Sequence, residues 1–271
     1  PYIASGLYRH LNKDDGIHMY TNSVIAEIFV KNKPIETDWV GFLHATPDNN
    51  LRQIINSKTC QESLKRCKGL FALSNYVCEF IKEEMKVDTA RILMSVANVK
   101  TLFNPEKFLN SKPKLILIGH WLRKFESIYK IKTDTYTKSI LKCTNAHHPH
   151  GVDIINYLPT DQYEKLFENN VVFLDLLDAS ANNIIVECIL HRTPVLVNRL
   201  PAIEEYLGKD YPLFFNSIEE ASEKLSCQEL ILKAHQHLLK IDTEQFSLQN
   251  FINSVAKSKI YENLNHFNIL I

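Results

Sequence analysis

The chain has 271 residues, 45% of them hydrophobic, enough to fill one large or two modest soluble domains. Lys plus Arg and Asp plus Glu balance at 31 each, so no overall positive field points to nucleic acid or a membrane surface as the main partner. Six cysteines (Cys60, Cys67, Cys78, Cys143, Cys188, Cys227) form no CxxC pair, no secretory signal is seen, and no apolar run nears the ~20 residues of a membrane span. Together these read as reduced thiols in a cytoplasmic setting.

The opening PYIASGLYRHL starts mid-pattern, which reads as a processed or excised segment whose first strand is missing. From there short apolar runs alternate with amphipathic stretches, the pattern of strands and helices in a parallel α/β sheet. WVGFLHAT (39–46) predicts a strand, Leu51 to Ile55 and Cys60 to Cys67 helices, GLFALS (69–74) a strand, and Asn75 to Lys86 a helix. Asn104 to Pro113 has linker composition, and KLILIGHW after it reads as a strand buried on both faces. The domain boundary is therefore expected there: 1–108 as an N-terminal domain, 109–245 as a C-terminal domain, 246–271 as a helical tail.

Further strands are expected at VDIINYL (152–158), VVFLDL (171–176) and PVLVN (194–198), with helices at Thr160 to Glu168, Asn182 to His191 and Ala202 to Leu207. Just before LDASANNIIVECILHRTPVLVNRLPAIEEYLG (177–208) a strand ends at Asp175. A polar loop with Asp178, Ser180, Asn182 and Asn183 follows, and an apolar helix opens at once. Such a unit puts backbone N–H groups and a positive helix end where a diphosphate can sit. Glu187, one turn further along, is placed to accept hydrogen bonds from ribose hydroxyls, or to form a structural ion pair.

These residues carry a resemblance. The capped helix with its central Glu187, then TPVLVN, then PAIEEYLG, is similar to the donor-binding region of GT-B glycosyltransferases, whose pattern is E-x7-E, G-x-P-V and G-x-x-E. The second Glu of that pattern falls on Glu187. Eight residues earlier stands Ala179, with Asp178 beside it as a substitute carboxylate. LILIGHWLRK (115–124) resembles the strand and loop that open the C-terminal domain of these enzymes, with Gly119 at the turn, and the resemblance assigns a diphosphate clamp to Arg123 and Lys124.

The resemblance implies an α/β fold of two Rossmann-like domains facing a cleft. It implies glycosyl transfer from a nucleoside-diphosphate sugar, UDP- or GDP-linked, to a glycan, protein or lipid-linked acceptor, with no other cofactor and no divalent metal. His44, closing the strand 39–46, is then a general base or a hydrogen-bonding partner for the donor sugar, or else a structural histidine. Ser74 reads more simply as a helix N-cap. His147, His148 and His150 read as a solvated loop rather than a metal site. Two rivals stand beside transfer: a catalytically degenerate GT-B module that binds without turnover, and a nucleotide-sugar epimerase.

Overall fold

The computed structural model describes residues 18–23, 28, 32–97, 99–141 and 151–264. The opening segment, Cys143 and the histidines at 147, 148 and 150 lie outside them. The chain forms two compact units, Pro1–Ser95 with Gln245–Ile271, and Val96–Glu244.

The first unit is a parallel four-stranded sheet, β1 (His18–Ser23), β2 (Trp39–Leu43), β3 (Cys67–Ala72) and β4 (Thr89–Arg91), in that order. Helices α1 (Asn49–Ile55), α2 (Lys58–Leu64) and α3 (Asn75–Phe80) connect β2 to β3 and β3 to β4, and α3 runs on through a π-turn at Ile81–Met85. Alternation along the strands divides the core. Trp39, Leu43, Leu70 and Ala72 pack with Leu51, Ile55, Val77 and Ile81, while Val40, Phe42 and Phe71 pack with Phe251, Val255, Ile260 and Leu264. The second set comes from α11 (Leu248–Ala256) and α12 (Lys259–Leu264), so the expected separate tail is built into one of this unit's two core clusters. Gly69 marks how close it comes: a Cβ there would stand 2.7 Å from Ile260 Cγ1.

The second unit begins earlier than its composition suggests. Within the expected linker, Asn104 caps a short helix α4 (Pro105–Leu109) through its side chain, with Pro105 in the first turn. Phe103 N–H donates to His191 O at 2.8 Å and Lys107 Nζ pairs with Glu168 at 2.6 Å, so 104–113 is built into this unit and the division falls at 95/96 rather than 108/109. Its sheet comprises β5 (Lys114–Ile118), β6 (Thr137–Leu141), β7 (Val152–Ile155), β8 (Val171–Leu174), β9 (Val195–Asn198) and β10 (Phe214–Phe215). All pairs are parallel, in the order β10-β9-β8-β5-β6-β7. The strands wind outward from β5 to β7, cross back through α6 (Thr160–Lys165), and wind the other way from β8 to β10. Helices α5 (Glu126–Lys130), α7 (Asn183–His191), α8 (Pro201–Leu207), α9 (Ile218–Ser226) and α10 (Gln228–Leu239) complete the layers. Strands β5 and β8 are buried nearly throughout, as sheets covered on both faces require.

Candidate functional site at the carboxyl edge of the second sheet

In an open, doubly wound parallel sheet, ligands sit outside the carboxyl ends of the strands where the winding reverses. Here that point lies between β5 and β8, so the loops after Ile118 and after Leu174 form the candidate site.

The two loops are fastened to each other. Lys124 N–H donates to Asp175 O at 2.8 Å and Leu177 N–H to Leu122 O at 3.0 Å, with an antiparallel bridge between Arg123 and Leu176. Asn198, ending β9, clamps the second loop from beneath: its Oδ1 accepts from Leu176 N–H at 2.7 Å and its Nδ2 donates to Leu176 O at 2.9 Å. Gly119 adopts φ +85° and Leu122 φ +55°. A leucine in the left-handed region costs roughly 1–3 kcal/mol and persists only where its surroundings hold it, as these bonds do.

The two cations expected to act as a pair have different partners. Arg123 turns back into its own loop, where Nε donates to Ile118 O at 3.2 Å and Nη1 to Trp121 O at 2.5 Å. Burial lowers its pKa to about 10, still charged at neutral pH. Lys124 instead points to Asp175, Nζ to Oδ1 at 3.1 Å, and Ser127 donates to the other carboxylate oxygen. A cavity of about 200 Å³ opens beside this pair at the ends of β8, β9 and β10, lined by Lys124, Asp175, Asn198, Arg199, Asn216 and Ser217 among others. Arg199 lies 4.6 Å over the Phe214 ring and pairs with Glu204.

On the α7 side, Asp178 Oδ1 accepts from Ala179 N–H at 2.7 Å, and Ser180 is buried. Asn182 Oδ1 accepts from Ile184 and Ile185 N–H at 3.0 and 3.4 Å, so two amides expected to face a phosphate already carry a cap, while Asn183 is exposed as the first helical residue. A phosphate at this end meets the positive helix terminus and competes with the Asn182 side chain for those amides. Glu187 Oε2 accepts the Tyr163 hydroxyl of α6. Burial, then the Glu187 carboxylate, pushes that phenol's pKa well up, so it stays a donor. A carboxylate has about four lone-pair sites, so this bond leaves acceptor capacity.

Among the expected residues the structure therefore gathers Gly119, Arg123 and Lys124 on one loop, and Asp178, Ser180, Asn182, Asn183 and Glu187 on the loop and helix beyond the neighbouring strand. His44 belongs to the first unit, exposed just after β2 and stacked on Phe42 with ring centroids 5.9 Å apart. Ser74 caps α3 through Val77 N–H. Asp175, Ser127, Asn198 and Tyr163 were not singled out from sequence; only an Asn ending the apolar run PVLVN hints at the clamp. Among the described residues no group of three His, Cys, Asp or Glu is arranged to hold a metal, and no helix is long and apolar enough to cross a membrane.

No family model and no curated protein matches the chain. Solved structures do. A sucrose-phosphate synthase from Thermosynechococcus elongatus aligns over 92% of this chain and 73% of its own, with TM-score 0.65 and 10% identity. A UDP-forming α,α-trehalose-phosphate synthase from Burkholderia xenovorans aligns over 95% and 76%, with TM-score 0.61 and 10% identity. A glycosyltransferase from Rickettsia africae aligns over 85% and 71%, with TM-score 0.53 and 13% identity. At such identity the likeness carries the fold: two parallel α/β sheets of the GT-B type.

Proposed function

We propose that the chain is a glycosyltransferase whose second unit holds a nucleoside-diphosphate sugar. The observation that carries this reading is Lys124, fixed by the Asp175 pair on the loop after β5, where the sheet's winding reverses and beside the loop that opens α7. An ammonium there neutralises the charge that develops on a departing diphosphate. The α7 terminus adds its dipole, and Glu187, oriented by Tyr163, is the acceptor for ribose hydroxyls. Arg123 acts through the loop it staples rather than as the second arm of the clamp. His44 is proposed for the acceptor or sugar hydroxyl. The synthases of similar fold that are described as UDP-forming favour UDP over GDP as the first donor base to test.

A thermal-shift screen across UDP-, GDP-, dTDP- and ADP-sugars tests the reading, since a ligand that binds only the folded state raises Tm. One class of nucleotide sugar should raise Tm and be slowly hydrolysed, both effects being lost in Glu187→Ala. If no nucleotide or nucleotide sugar shifts Tm, the reading fails. A second reading, binding without transfer, is favoured by Ala179 at the position where the resemblance has its first Glu. It predicts a Tm shift with no hydrolysis and no transfer to any acceptor.

A further inference from the structure

We infer that Trp121 is the platform on which the sugar ring of the donor stacks, an assignment that rests on the nucleotide-sugar reading above. Trp121 is 73% exposed, on the turn between Gly119 and Lys124. Water-facing indole is costly, because a buried Trp removes roughly 150–250 Å² from solvent and contributes correspondingly. A loose loop would fold such a ring onto the protein. This one is pinned around it: the Trp121 carbonyl is held by Arg123 Nη1 at 2.5 Å, the Leu122 carbonyl by Leu177 N–H at 3.0 Å, and Gly119 and Leu122 both take positive φ. Arg123 is thus a positioning residue for Trp121, its half-buried guanidinium bridging the carbonyls of Ile118 and Trp121.

The position on the loop selects the ring. Trp121 stands three residues before Lys124, hence close to the proposed diphosphate. Glu187, if it takes the ribose, holds the nucleoside against α7 and Tyr163 of α6, elements other than the loop after β5 that carries Trp121. The ring attached to the other phosphate is then the one left for Trp121. A pyranose presents a face of polarised C–H groups, which suits the negative face of an indole. The neighbouring Leu177 is 61% exposed on the loop bonded to Leu122, and extends the same apolar rim.

Fluorescence separates this from the parent reading, because the chain has only two tryptophans and the other, Trp39, is fully buried with its Nε1 donating to Ser63 O at 2.8 Å. The full chain is titrated with UDP and UDP-glucose, and with GDP and GDP-mannose, following both emission and Tm. The sugar nucleotide that raises Tm should change the red-edge emission of Trp121, and the matching free diphosphate should raise Tm without that change. Trp121→Phe should abolish the emission change while keeping most of the affinity. Trp121→Ala should keep the ligand-free Tm, weaken the sugar nucleotide by roughly tenfold and leave the free diphosphate within about twofold. Emission that responds equally to the free diphosphate, or a Tm shift with silent emission and full affinity in Trp121→Ala, overturns the assignment and leaves nucleotide-sugar binding standing. Absence of any Tm shift removes both.

Discussion

Lys124 Nζ lies 3.1 Å from Asp175 Oδ1, and the second oxygen of that carboxylate accepts the Ser127 hydroxyl, so a side chain only 8% exposed is bonded on both oxygens. The pair joins the strand ends on either side of the winding reversal. Removing one member has a different consequence from removing the other. Lys124→Ala leaves a buried carboxylate with one hydroxyl, at an expected cost of about 1–2 kcal/mol given that the lysine is itself half exposed. It should also reduce sugar-nucleotide hydrolysis by roughly a hundredfold, the loss typical of one preorganised charge-stabilising group. Asp175→Asn should destabilise similarly yet retain nucleotide binding, because the ammonium remains. Urea denaturation and steady-state hydrolysis of both variants check this; equal loss of hydrolysis in the two would assign the pair to structure alone.

Under the proposed function, Glu187 binds the ribose and Tyr163 orients Glu187. Tyr163→Phe removes one hydrogen bond to a carboxylate, an expected cost of about 1–2 kcal/mol in stability, and leaves Glu187 able to bond ribose. Its effect on nucleotide affinity should be a few-fold, whereas Glu187→Ala should lose binding beyond the titration range. Calorimetric titration with the nucleotide found in the screen distinguishes them. A Tyr163→Phe loss as large as that of Glu187→Ala would mean that the tyrosine itself touches the ligand.

Acid sensitivity should report on the end of α7. His191 is buried, stacked on Phe167 with ring centroids 4.2 Å apart, and its Nδ1 meets Thr101 O at 2.6 Å. Burial lowers its pKa below the usual imidazole value, outweighing the carbonyl and Glu164. The folded state therefore holds neutral imidazole while the unfolded chain takes up a proton near pH 6.5. Its contribution is complete above that pH and is lost as pH falls toward the depressed folded value. Stability measured by urea denaturation should decline from about pH 6.5 downward, and His191→Phe should flatten that slope while lowering stability at pH 7 through loss of the Thr101 bond. An unchanged slope in the variant would place the acid sensitivity elsewhere.

How much of this was legible in the sequence follows the range of each interaction. The strand at 114–118, the strand at 171–174 and helix α7 carry their own apolar runs and an Asn cap, and they appear where the pattern puts them. Helix α4 has the local signal, Asn104 then Pro105, but five residues are too few for a periodicity to outweigh two prolines. The direction of Arg123 depends on Leu122 adopting a left-handed φ, which no propensity of leucine announces. The Lys124–Asp175 pair spans 51 residues, and nothing local in LRKF indicates which cation it takes. The placement of the last helices differs for the same reason: their apolar stripes are plain, but the sheet face they cover, beside Gly69, lies far upstream.

That glycine supplies the last test. Gly69, in β3, leaves room for Ile260 of α12, whose Cγ1, Cδ1 and Cγ2 would all stand within 2.8 Å of an added Cβ. Separations under 3 Å force movement, and Ile260 is itself buried among Phe71, Val255 and Tyr261 with little space to yield. Gly69→Ala should therefore lift α12 from the sheet at a cost of about 1–3 kcal/mol, the range for overpacking a filled core, with added strain from a φ of +156°. Because the closure is local to the first unit, limited proteolysis of the variant should cut first between residues 245 and 264 while nucleotide binding by Val96–Glu244 persists. Ile260→Ala combined with Gly69→Ala should recover part of the loss, since the methyl groups in conflict are gone, whereas Ile260→Ala alone should destabilise by about 2–4 kcal/mol as a cavity opens. If the double variant is no more stable than the sum of the two single changes predicts, the approach of Ile260 to Gly69 is not what fixes these helices to the sheet.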